Sequence, residues 1–245
     1  MIRDLQERAA QALPAEYIEH ADGWWLRHAP SSSWWIGTVL PHGDARPDEL
    51  LRRVVRAEEF YAARGEVARF QVTPGVCPPG LDAVLTERGY RAESPVSLQV
   101  AQSPQIDGPS STQPCQVSVD DHPTGAWFDV WHAVNGGDLQ AAWDVLARLE
   151  RPCGYASVTF GNEVVAVGRA VVDDGWAGLF GMATLPQARG RGAGRHVLAA
   201  LARWAEARQA DHMYLQVERD NVPALRLYET AGFTEACAYH YRTAP

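Results

Sequence analysis

Residues 182–195 read Met182-Ala183-Thr184-Leu185-Pro186-Gln187-Ala188-Arg189-Gly190-Arg191-Gly192-Ala193-Gly194-Arg195, with an apolar, strand-like run before them and a helical periodicity after them. Gly190, Gly192 and Gly194 remove side chains where a backbone must come close to a ligand. A helix that opens there turns unpaired N–H groups and its positive dipole end toward an anion. Arg189, Arg191 and Arg195 add positive charge to the same few residues. The stretch therefore predicts a cradle for a phosphorylated ligand. A P-loop is excluded, because no Gly-Lys-Ser/Thr triplet is present to reach phosphates and magnesium. A dinucleotide fingerprint needs Gly-x-Gly-x-x-Gly after the first strand of a βαβ unit, and here the glycines alternate.

The pattern Arg189-x-x-Gly192-x-Gly194 resembles the acetyl-CoA-binding motif of the GNAT superfamily of N-acetyltransferases, usually written Q/R-x-x-G-x-G/A. A second block supports it. Met213 to Glu218 reads as a strand, Asn221 to Tyr228 matches the Asn-x-x-A-x-x-x-Y helix, and Gly232-Phe233 closes the turn. Both blocks stand in the order and spacing of that superfamily, over roughly residues 150 to 245. The resemblance implies direct acetyl transfer from the thioester of acetyl-CoA to a primary amine, with no metal ion.

The same resemblance assigns residues to tasks. The diphosphate would be held by Arg189, Gly190, Arg191, Gly192, Ala193, Gly194 and Arg195 as the helix begins. The peptide-like pantetheine arm would add as a pseudo-strand to Met182, Ala183 and Thr184, the end of a β-bulged strand in the family. A backbone N–H of Met182 or Ala183 would stabilise the oxyanion, a contribution of about 3 to 4 kcal/mol to the barrier. Tyr228 aligns with the family's general acid, which would protonate the departing thiolate; as a plain residue it also fits a core tyrosine on a short apolar helix. Asn221 reads equally as an N-cap and as a contact to cofactor or substrate. Glu218, at the end of its strand, is the candidate base for the amine, with Asp220, His132, Asp174 and His240 as rivals.

At 245 residues the chain can bury one large or two small cores. Its formal net charge of −8 argues against a nucleic-acid-binding surface, leaving the arginine loop as a local basic patch. No run approaches the roughly 18 to 20 apolar residues of a membrane span, and the first residues lack a signal-peptide core, so a cytoplasmic location is expected. Cys77, Cys115, Cys153 and Cys237 stand far apart with no metal-ligand spacing, which predicts free thiols. The pairs Trp24-Trp25 and Trp34-Trp35 read as core and hairpin packing, or as an aromatic wall for a substrate.

The segment 101–114 carries Pro104, Pro109 and Pro114 and almost no aliphatic residues, and is expected to be a linker between an N-terminal lobe, 1–100, and a C-terminal lobe, 115–245. In the C-terminal lobe hydrophobic spacing predicts the order β-α-α-β-β-β-α-β-α-β, an α/β fold on a mixed sheet that agrees with the GNAT resemblance. In the N-terminal lobe Trp24–His28 and Trp34–Leu40 read as a hairpin and Asp48–Arg64 as a helix. Phe70-Gln71-Val72 before Leu81 to Gly89-Tyr90 echoes Leu215-Gln216-Val217 before Leu225 to Gly232-Phe233, at nearly constant offset. The echo lacks the chemistry, since Val39 to Pro47 has one glycine where the loop should be and Leu85 stands where Tyr228 does. A degenerate N-terminal copy beside one working site is the expected organisation. The expected partner is a small-molecule amine, with exposed strand edges that allow a homodimer. Peptide or protein acetylation, and a CoA-binding regulatory module without chemistry, are the competing readings.

Overall fold

The computed structural model describes residues 1–30, 33–103, 106 and 115–245. The expected linker 101–114 lies largely outside the described residues, although its first two members, Ala101 and Gln102, continue a strand. The chain forms α1 (Ile2–Ala12), β1 (Tyr17–Ala21), β2 (Trp24–His28), β3 (Val39–Leu40), α2 (Pro47–Ala62), β4 (Arg69–Val72), α3 (Leu81–Glu87) and β5 (Arg91–Gln102). There follow β6 (Gln116–Asp120), α4 (Gly125–Asn135), α5 (Leu139–Ala147), β7 (Cys153–Phe160), β8 (Glu163–Asp173), β9 (Trp176–Thr184), α6 (Ala193–Glu206), β10 (His212–Glu218), α7 (Val222–Thr230) and β11 (Thr234–Thr243). All strands belong to one mixed sheet, in the order β1-β2-β3-β4-β11-β5-β10-β9-β8-β7-β6. The α/β class and the element order expected for residues 115–245 are those observed. Among the described residues no helix is long and apolar enough to cross a membrane.

The central order β4-β11-β5-β10 carries the echo between the halves. The segments β4-α3-β5 and β10-α7-β11 repeat one another, but each half's last strand leaves its own half. β11 pairs antiparallel with β4, His240 opposite Val72, and β5 pairs antiparallel with β10, Val96 opposite Glu218. β5 and β11 pair with each other between them. Arg242 on β11 binds Asp82 on α3 in a fork, at 2.8 and 3.1 Å, and also donates to the Tyr90 carbonyl, so side chains close the same exchange.

Three N-terminal elements depart from the sequence reading. Trp24–His28 forms its hairpin with β1 through the turn Asp22-Gly23, not with Trp34–Leu40. Of the latter only Val39–Leu40 is strand. Residues before it turn back, with the Gly37 N–H bonded to the Trp34 carbonyl, and Trp34 packs edge-on over Tyr241 at 4.9 Å. α1, absent from the reading, lays Leu5 and Ala9 against Leu98, Tyr214 and Tyr239. Its Arg8, together with Arg151, grips Asp173 at the end of β8.

The sheet carries α6 on one face, where Val197, Leu198 and Leu201 are fully buried with Ala156, Val158, Ala166 and Leu215. That helix lies close because glycines make room. A Cβ on Gly168 would come within 2.7 Å of Val197 Cγ1, and one on Gly154 within 2.6 Å of the Trp204 ring. On the other face α4 packs Trp127 and Phe128 against Tyr155 and Val167.

Candidate active site

The site begins where two strands part. β9 and β10 pair in parallel only from Trp176–His212 to Leu179–Leu215. Beyond that point β9 is bulged: between Phe180 opposite Arg169 and Ala183 opposite Val167, two residues of β9 face one of β8. Gly181 takes a φ of +60° in this bulge, and a Cβ there would lie 3.1 Å from the Trp131 indole nitrogen. The extra residue turns β9 away from β10 and leaves its edge from Phe180 to Thr184 unpaired on that side. A cavity of about 1070 Å³ opens in the gap.

One end of the cavity is the start of α6. A 3-10 turn, Pro186–Ala188, leads from β9 to Arg189, whose Nε donates to the Thr184 carbonyl at 3.3 Å. Gly192, at φ +81°, caps the helix, and the first bonds of its backbone run from the Arg195 and His196 N–H groups to the Gly192 carbonyl. The amides of Ala193 and Gly194 therefore lack an intrahelical acceptor, and the first turn holds no acidic residue. The matching helix of the N-terminal half shows the contrast. α2 opens on Pro47, carries Asp48 and Glu49 in its first turn, and is closed by the Arg46 and Glu49 side chains. A phosphate would meet carboxylates there and a missing donor.

Met182, Ala183, Thr184, Arg189, Gly190, Gly192, Ala193, Gly194, Arg195, Glu218, Asn221 and Tyr228 all line this one cavity. Arg191 is placed elsewhere: it is exposed, with its guanidinium 4.5 Å from the Phe160 ring centre. Asn221 is the N-cap of α7, its Oδ1 accepting from the Ala224 N–H at 3.3 Å, and also reaches the cavity wall. Tyr228 is 7 % exposed, in contact with the core through Phe233, and its hydroxyl has no protein partner among the described residues. Burial holds that phenol well above the usual tyrosine range, so it stays protonated. Glu218 is exposed at the end of β10, where its charge adds to burial in raising Tyr241.

The rivals for the base sit away from the cavity wall. His132 bonds the Gly137 carbonyl at 3.1 Å, Asp174 pairs with Arg8 at 3.1 Å, and His240 pairs with Asp82 at 3.0 Å. Asp220 is exposed in the turn before α7 and is not part of the wall.

Several wall residues went unread in the sequence. Beyond the β9 bulge the cavity continues into a lobe formed by Trp127, Trp131 and Val145 from α4 and α5, with Trp34, Trp35 and Ile36 from the N-terminal half. Trp34 and Trp35 are each 36 % exposed and lie in this wall, outside any strand, so hairpin packing does not describe them. Tyr239 and Tyr241 complete the side toward β11, Tyr239 donating its hydroxyl proton to Gln216 Oε1 at 2.9 Å. Arg169 on β8 is in the wall as well.

A family model described as "Probable histone acetyltransferase Rv0428c C-terminal" matches residues 1–242. A relative named "Uncharacterized N-acetyltransferase YobR", from Bacillus subtilis (strain 168), is 28% identical over 251 residues and covers 98% of each chain. Among solved structures, a GCN5-related N-acetyltransferase from Kribbella flavida superposes with a TM-score of 0.78 at 17% identity, over 100% of this chain and 94% of that one. A tandem GNAT protein from the clavulanic acid biosynthesis pathway gives a TM-score of 0.64 at 12% identity, over 82% of this chain and 71% of that one.

Proposed function

The chain belongs to the family described as Probable histone acetyltransferase Rv0428c C-terminal and is a GNAT-type N-acetyltransferase; on that premise we propose that it acetylates the primary amine of a small molecule, with acetyl-CoA as donor. The observation that carries this reading is the continuity of one cavity. It runs from the amides of Ala193 and Gly194, past the unpaired edge of β9 and the Tyr228 ring, into the aromatic lobe. The residues present fit the donor. Gly192 and the first turn of α6 form an acid-free cradle for a diphosphate, and the free strand edge suits a chain of amides.

When bound, acetyl-CoA supplies an activated acyl thioester. The chain's own residues do the rest. Arg189, Arg195 and the helix amides orient the donor, and an amide at Met182 or Ala183 faces the carbonyl oxygen where negative charge develops. Tyr228 holds a proton at its hydroxyl for the departing thiolate. Glu218, or a water it orders, takes the proton of the attacking ammonium.

Peptide or protein acetylation is the second reading, favoured by the family's description as a probable histone acetyltransferase. Thiol release from acetyl-CoA, followed over a panel of small primary amines and of lysine-containing peptides, separates the two. Saturable turnover on small amines is expected; turnover confined to peptides would replace the small-molecule reading.

A further inference from the structure

The lobe beyond the β9 bulge is lined mostly by aromatic and aliphatic side chains, with Asn135 and Asp138 also in its wall and one buried cation, Arg169. Arg169 is 2 % exposed and contributes to the cavity wall. Its Nη2 donates to the Ala12 carbonyl at the end of α1 at 3.1 Å, and its guanidinium lies 5.2 Å from the Phe180 ring centre. Its neighbours include the hydroxyls of Tyr155 and Tyr214 and the thiol of Cys153, all neutral. No carboxylate among the described residues pairs with it, and Nη1 is buried with no hydrogen-bond partner at all. A guanidinium does not shed its charge at any ordinary pH, so this is a desolvated cation lacking its counter-ion. By contrast Arg8, Arg53, Arg88 and Arg242 each have an acidic partner.

The position is as telling as the lack of a partner. Arg169 stands opposite Phe180 at the edge of the β9 bulge, next to Gly168, whose carbonyl is held by the Trp127 indole N–H at 3.2 Å. Around it the lobe offers Leu13, Ile36, Trp127, Trp131 and Val145. One planar fork of donors in an aromatic and aliphatic chamber matches an acceptor with an apolar body and a single anionic group.

We propose that Arg169 is the specificity determinant for the acceptor, pairing with a carboxylate carried by the same apolar molecule that presents the amine. The substrate class is then an apolar amino acid or a close analogue, and polyamines and aminoglycosides are excluded. This inference rests on the acetyl-transfer reading, and it is tested in two independent arms.

In the first arm, kcat/KM is measured for leucine and phenylalanine against leucinamide and phenylalaninamide, which differ only in the carboxylate. The acids are expected to exceed the amides by about 100-fold, as sites built to pair a polar group reject analogues that lack it. Arg169→Gln should abolish the difference between acids and amides, mostly through KM, and Arg169→Lys should restore part of it. In the second arm, which needs no turnover, N-acetyl-leucine and N-acetyl-leucinamide are titrated against the full chain with CoA present, read by the fluorescence of the cavity tryptophans. Tighter binding of the acid is expected, and loss of that difference in Arg169→Gln. Equal kcat/KM for acids and amides in the wild-type protein, or equal binding of the two probes, would overturn the proposal and leave acetyl transfer standing. Should no amine turn over, acetyl transfer to small molecules fails and the binding arm alone decides for or against Arg169. Both wild-type comparisons hold even if a variant does not fold.

Discussion

Tyr228 stands where packing and the proposed chemistry meet. Its ring belongs to the core, the residue also lines the cavity, its hydroxyl has no protein partner among the described residues, and burial keeps it protonated. Replacing it with phenylalanine keeps the ring and removes only the proton donor. Tyr228→Phe is therefore expected to lower kcat by about 10² to 10⁴-fold, the usual contribution of a positioned acid, with KM for acetyl-CoA nearly unchanged and the unfolding midpoint within the range of surface substitutions. Because the phenol's pKa is raised, the wild-type kcat should show no loss of this acid as pH rises from neutrality to about 10, where an ordinary tyrosine would ionise. Steady-state kinetics across that range checks both statements, and an unaltered kcat in the variant would remove Tyr228 from the reaction. That the glycine loop and Tyr228 would meet in one place was legible in the sequence, because the motifs fix particular residue types at particular spacings, and both line the one cavity. Arg169 was not. It lies inside the β-branched run Val164 to Val172 and reads there as an ordinary strand residue; only the fold reveals that it is buried with Nη1 unpartnered among the described residues.

Among elements, the bulge in β9 and the close seat of α6 on the sheet act together. The bulge opens the cleft, and α6 must sit close enough for its first turn to face that cleft. Gly168 controls this approach, since a Cβ there meets the stiff Val197 side chain on α6 as well as Met182 on β9. Gly168→Ala is expected to destabilise the fold by about 1 to 3 kcal/mol, the common cost of overpacking, and to weaken donor binding by displacing the helix start. Urea denaturation and a KM measurement on the same preparation test this, and wild-type values for both would show that the contact is relieved without moving α6. The elements after residue 115 were legible because each has a clear period and a clean break, as at Asn135-Gly136-Gly137. β5 was obscured. Pro95 argues against a strand interior, and Ser94 adopts φ +46° beside it, although Val96, Leu98 and Val100 alternate as a strand should. β3 and the turn before it were misread because Trp34 and Trp35 are strand formers by propensity, and their packing over Tyr241 and the cavity overrides it.

For the molecule as a whole, the exchange of β5 and β11 makes the two halves one structure. Neither half owns a complete sheet, because β10 needs β5 and β4 needs β11. Residues 1–103 and 115–245 produced as separate chains should each lack a cooperative unfolding transition and regain one on mixing, as followed by circular dichroism; cooperative unfolding of either fragment alone would show that the exchange is dispensable. This arrangement also explains the division of labour. The N-terminal half opens α2 on Pro47 with Asp48 and Glu49 in its first turn, and contributes Trp34, Trp35 and Ile36 to the wall of the cavity that α6 borders. The echo of Gln71 in Gln216 and of Gly89 in Gly232 was visible in the sequence. The crossing of the strands was not, because register between distant strands leaves no mark in local periodicity.

All of this depends on the start of α6 holding the donor's diphosphate. Calorimetric titration of acetyl-CoA into the wild-type protein and into Gly192→Val, strained at φ +81° at a position that lines the cavity, measures that directly. One-site binding by the wild type, weakened at least about tenfold in the variant, is the result expected. No heat of binding in the wild type, or equal affinity in the two proteins, would contradict it.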